Sequence, residues 1–104
     1  MAETERYTKY SSLVKKPLTF TATYIRNGIC KGSCQPTMLL TNVCIDGNQI
    51  LDHVWVRSTN SLHIRLRSKQ HKSIKFIGKL IKITKLKNES ILVKDLNIQI
   101  KELL

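Results

Sequence analysis

The sequence predicts an all-β fold, a small five-stranded barrel preceded by a short N-terminal helix or arm, and three observations carry that expectation. Apolar and polar residues alternate with a period of two through most of the chain. Asp46-Gly47-Asn48 breaks the alternation with residues that accept the positive φ of a tight hairpin turn. The longest interruption falls between the third and fourth strands, and Gly78 lies within the fourth, where a barrel strand has to bend. A chain of 104 residues has room for one domain with a modest core. Residues 1–16 read as the arm and 17–104 as the barrel.

In the arm, Tyr7, Tyr10, Leu13 and Val14 are spaced as one face of a short helix that ends at Lys15-Lys16-Pro17. From Leu18 the period becomes two: Leu18, Phe20, Ala22 and Tyr24 alternate with Thr19, Thr21 and Thr23, a half-buried strand rich in β-formers. Asn27-Gly28 and Lys31-Gly32-Ser33 mark a turn or loop. A second strand runs from about Thr37 to Ile45, and the Asp-Gly turn folds a third, Ile50 to Val56, straight back on it. Ser58 to Ser73 is a connector whose pattern fits either a short helical turn or a brief strand. The fourth strand begins at Ile74 and shifts phase after Leu80 to Ile81 and Ile83, which predicts a bend or bulge near Gly78–Ile81. Lys87-Asn88-Glu89-Ser90 turns into a last strand, from Ile91 to about Glu102.

Five strands with the long connector between the third and fourth follow the order of the five-stranded Greek-key barrel known as the oligonucleotide/oligosaccharide-binding (OB) type. An SH3-like barrel is the alternative, but it needs no extended connector there. The segment Leu39–Val56 also resembles small bacterial and bacteriophage proteins through Leu39, Leu40, Asn42, Val43, Asp46, Gly47, Asp52, His53 and Trp55. The likeness continues through a basic strand bearing Ile74, Phe76, Gly78 and Leu80. The chain departs from that pattern at Lys72-Ser73, where such proteins often carry a Gly-Asp turn. The resemblance spans about half of the chain and implies an OB module rather than a particular activity.

Charge supplies the functional expectation. Lys and Arg number 18 against 7 Asp and Glu, a formal charge of +11. No carboxylate lies between Asp52 and Glu89, a stretch that holds Arg57, Arg65, Arg67, Lys69, Lys72, Lys75, Lys79, Lys82, Lys85 and Lys87. Lysines also protect strand edges, yet mixed charges would do so equally well, so the excess points to a polyanion. Single-stranded DNA or RNA bound with low sequence specificity is the expected partner. The alternative is a phage or mobile-element interaction module that docks on an acidic protein, for example in a replication or ribonucleoprotein complex. Structured RNA is a third reading. Without an apolar span or long amphipathic helix no membrane role is expected, and the polar N-terminus with three cysteines suits a cytoplasmic compartment.

In OB modules single strands cross the second and third strands between two flanking loops. On this chain that selects Lys31, then His53, Trp55 and Arg57, then Lys85 and Lys87, with the remaining cations of the acid-free stretch beside them. Trp55 fits either a core anchor or a stacking platform, and it shares the more polar side of its strand with His53 and Arg57. Asp52 and His53, as neighbours on a strand, are expected on opposite faces and so unable to share one reacting centre. No nucleophile elbow, phosphate loop or carboxylate cluster is present, so no enzyme activity and no catalytic residue are expected. Cys30 and Cys34 lack a second close ligand pair, so no metal or other cofactor is expected either.

Overall fold

The computed structural model describes residues 2–29 and 36–104. Its elements are β1 (Ala2–Glu3), α1 (Glu5–Tyr10), β2 (Pro17–Ile29), β3 (Pro36–Ile45), β4 (Asn48–Arg57), α2 (Asn60–Leu66), β5 (Lys72–Asn88) and β6 (Ile91–Leu103). Thr4 caps α1 by accepting the Tyr7 amide, and Thr59 caps α2 by accepting that of Leu62. The undecided connector is therefore helical. Asp46 and Gly47 take φ of 50° and 80° between the paired Ile45 and Asn48, a two-residue turn with both central residues left-handed.

All six strands belong to one sheet of order β1-β6-β5-β2-β3-β4, antiparallel except for the β1–β6 pair. The five-stranded closed barrel is thus corrected in two respects: a sixth strand is present, and among the described residues no backbone ladder joins β4 to β6. The reason lies in the arm. Ala2 and Glu3 pair with Val93 and Lys94, and the Thr4 amide donates to the Lys94 carbonyl, so the arm covers part of the β6 edge. Side chains span the rest. Asn97 Nδ2 donates to the Trp55 carbonyl at 3.0 Å, and Arg6 Nη1 donates to the His53 carbonyl at 2.8 Å while its Nε and Nη2 hold Asp95.

The core lies between the curved halves of this sheet, with Leu66 of α2 packed into it. Phe20 and Phe76 face each other in register, their rings stacked at 5.2 Å between centroids, both fully buried. Burial of side chains this size contributes about 1.5–3 kcal/mol each. β5 would run about 55 Å if straight, beyond the 39 Å longest axis of the molecule, and it bends. One irregularity falls between Ile77 and Gly78, where β5 and β6 slip register by one residue, and a second between Leu86 and Asn88 near the hairpin. A Cβ on Gly78 would stand 2.6 Å from the Gln99 carbonyl oxygen, so the residue permits the close approach of the two strands.

Candidate nucleic-acid interface

Exposed on β4 are His53, Trp55 and Arg57, alternating with buried Val54 and Val56. Trp55 stands opposite Leu39, which stands opposite Arg26, so one row crosses β4, β3 and β2. The indole reaches along that row. Its ring lies 5.1 Å from the Arg26 guanidinium carbon, and a Cβ on Gly28 would fall 2.7 Å from its Cζ3. With 39% of its surface exposed, Trp55 is no core anchor; it is an aromatic plate laid on the outside of the sheet.

Arg26 is hidden from a sequence-based reading because strict alternation puts it on the buried side with Phe20 and Tyr24. A one-residue register shift between Tyr24 and Arg26 turns it outward beside Trp55. The next row is formed by Lys72, Tyr24, Leu40 and Val54. Lys72, Arg26 and Trp55 therefore stand near one end of four adjacent strands spaced about 4.8 Å apart, with Arg57 two residues beyond Trp55.

That end is where β2 and β4 finish, β5 begins and α2 packs. It carries Arg26, Arg57, Arg65, Arg67, Lys69, Lys72, Lys75 and Lys101, and its only acidic side chain among the described residues is Glu102. Arg65, Lys69 and Lys75 line a cleft of about 490 Å³ with the hydroxyl residues Thr21 and Ser73, over a floor of Leu66 and Ile74. The other carboxylates lie elsewhere: Glu3 and Glu5 in the arm, Asp46 and Glu89 in turns, Asp52 in mid-strand and Asp95 in β6. The acid-free stretch thus becomes a cationic end rather than a cationic face.

Not all the expected cations reach it. Lys79 pairs across β5 with Pro17 and Gln99, away from Trp55. Lys82 sits beside Lys15 and Tyr7, and Lys87 belongs to the far hairpin. Lys85, expected in a loop, lies within β5, and its ammonium is committed to Asp95 at 2.6 Å. Lys31, Cys30 and Cys34 lie outside the described residues.

Asp95 is the functional-looking residue that the sequence conceals. Its carboxylate is fully buried and accepts from Arg6 Nε at 2.6 Å, Arg6 Nη2 at 2.7 Å, Thr4 Oγ1 at 2.9 Å and the Leu96 amide at 2.8 Å, besides Lys85. Burial alone would push its pKa up, but Arg6, Lys85 and these donors outweigh it and hold the acid well below the usual carboxylate range. Arg6 is in turn raised by its hydrogen bond to Asp95. The cluster fastens the arm to β6 and, through Arg6, to β4, a structural role.

Asp52 and His53 are also corrected. They do not point apart: both are exposed, and His53 Nδ1 lies 3.1 Å from Asp52 Oδ1. Asn42, between Thr41 and Val43, which pair with His53 and Leu51, has a φ of 50°, and the strands exchange faces here, so that Val43 and Leu51 turn inward. The His53 amide donates to Asp52 Oδ1 and holds its pKa down. Both residues line an open, solvent-exposed hollow with Glu5, Arg6, Lys9 and Tyr10, a surface of mixed charge.

Among the described residues no cluster of three or more His, Cys, Asp or Glu could hold a metal ion, and no helix is long and apolar enough to cross a membrane. Comparison with protein-family models, with curated proteins and with solved structures finds no match to this chain.

Proposed function

We infer that the chain is a non-enzymatic, OB-type module that binds single-stranded DNA or RNA with low sequence specificity, across the outer surface of β3 and β4 at the cationic end. The observation that carries this reading is Trp55: an exposed indole backed by Gly28 and Arg26, on an end whose only acidic side chain among the described residues is Glu102. A flat aromatic surface for bases beside cations for phosphates is what sequence-tolerant single-strand binding requires. The connectivity supports the OB reading too. Meander β2–β4, helix α2 and hairpin β5–β6 follow the OB order, with a β4–β6 seam held by Asn97 and Arg6 side chains instead of a ladder. The ligand's backbone would run from Arg57 past Trp55 and Arg26 toward Lys72.

Titration of labelled oligo-dT, oligo-U and a duplex of equal length tests the reading. Single strands are expected to bind more tightly than duplex. Arg26→Glu, Arg57→Glu and Lys72→Glu should each weaken binding and reduce the magnitude of the salt slope by about 0.7 for each phosphate no longer neutralised. Equal effects from Lys87→Glu at the opposite hairpin would show that net charge alone is being read, and would overturn the assignment of this end.

A further inference from the structure

The other end of the molecule carries an unpaired strand edge beside exposed aliphatic side chains. β5 pairs with β2 only over Lys72–Lys79, and Leu80 accepts a last backbone hydrogen bond from the Lys15 amide at 3.0 Å. Farther along, β5 is paired with β6 on one side and, among the described residues, has no backbone partner on the other. From Ile83 the strand therefore offers an open edge. Beside it lies an apolar patch: Leu86 and Leu92 are direct cross-strand partners, 62% and 48% exposed, and Ile91 adjoins them at 45%. Isolated exposed aliphatics are ordinary, but a cross-strand pair of them on an unpaired edge is a template for another strand.

We propose that this edge binds an extended peptide segment of a partner protein, of alternating acidic and aliphatic residues, by strand addition to Ile83–Lys87. Main-chain hydrogen bonds along the edge give affinity, aliphatic side chains cover Leu86 and Leu92, and the carboxylates, on the other face, lie toward Lys85 and Lys87. A second copy of the chain is the poorer occupant. Two-fold antiparallel pairing of two such edges, centred on Lys85, would set Lys85 opposite Lys85 between molecules that each carry +11. This surface is independent of the single-strand reading, since it lies at the end of β5 opposite the Trp55 row.

The test is a titration of the isotope-labelled full chain with a short synthetic peptide of alternating glutamate and leucine, followed by backbone amide resonances. Shifts confined to Ile81–Lys87 and Leu92, with slowed exchange of the Thr84–Leu86 amides, are expected. Methylation of alternate peptide nitrogens should weaken binding about tenfold or more, and Lys87→Glu should weaken it measurably. Leu86→Ser should weaken it with amide dispersion retained, which separates docking from folding. The proposal is overturned if the methylated peptide binds equally well, if the shifts map to Arg26, Trp55 and Arg57, if the same amides report self-association without peptide, or if no shift occurs. None of these outcomes depends on whether oligonucleotides bind, so the two readings fail separately.

Discussion

Gly28→Ala separates the stacking role of Trp55 from charge, because it changes neither the indole itself nor any ionised group. The new methyl would lie 2.7 Å from Trp55 Cζ3, 3.3 Å from its Cη2 and 3.2 Å from Thr37 Oγ1, all side-chain atoms. An approach of 2.7 Å is too close to persist, so the indole has to swing off its seat, and it can do so because its outer surface meets solvent. None of the three atoms nearest the methyl is a backbone atom, and alanine suits a strand better than glycine. The stability change should therefore stay within about 1 kcal/mol. A base stacked on an aromatic side chain is worth about 1–3 kcal/mol, so displacing the indole should weaken oligonucleotide binding by about 5- to 150-fold with the salt slope unchanged. The assay is a paired thermal melt and anisotropy titration, with Trp55 emission reporting the displacement. A shifted emission with wild-type affinity would refute the stacking role; an unshifted emission would refute the Gly28 seat itself.

Gly78→Ala should behave oppositely, because its methyl meets the Gln99 backbone oxygen at 2.6 Å, and backbone cannot swing away; a loss of about 1–3 kcal/mol is expected in denaturant melts, with little change in affinity per folded molecule. Asp95→Asn should cost about 1–3 kcal/mol at neutral pH, less than a fully buried pair because Lys85 is half-exposed and can turn to water. The sign of its pH dependence follows from the depressed acid: the folded state binds fewer protons, so the stabilisation is complete above the unfolded pKa of about 4 and is lost as pH falls below it. The melting gap between wild type and Asp95→Asn should accordingly close on acidification; a gap that widens would contradict the Arg6–Asp95–Lys85 cluster. Lys85→Met should lower the melting temperature and leave oligonucleotide affinity nearly unchanged, whereas weakened binding at unchanged stability would return Lys85 to the interface.

Local signals made much of the fold legible. The threonine-spaced first strand, the Asp46-Gly47 turn and the phase change after Gly78 each follow from side-chain alternation or backbone conformation within a few residues. Long-range pairing hid the rest. That β1 would cover the β6 edge depends on pairing across some ninety residues, and two residues of strand carry no periodicity. Asp95 looks like any polar interruption of an apolar strand until Arg6 and Lys85 are brought to it. The same limit governs the site. Alternation put His53, Trp55 and Arg57 on one exposed side, but the bulge that turns Arg26 outward and the face exchange that joins Asp52 to His53 are decided by neighbouring strands. Net charge likewise revealed the excess of cations without their division between two ends.

The most direct measurement is the emission of Trp55, the only tryptophan in the chain, during titration with oligo-dT and oligo-U over a range of salt concentrations. Neutralisation of three or four phosphates implies quenching that saturates with ligand and an affinity that falls with a log–log salt slope of about −2 to −3. Binding seen by anisotropy with no change in Trp55 emission, or an affinity indifferent to salt, would contradict an indole and a cationic end acting together on a single strand.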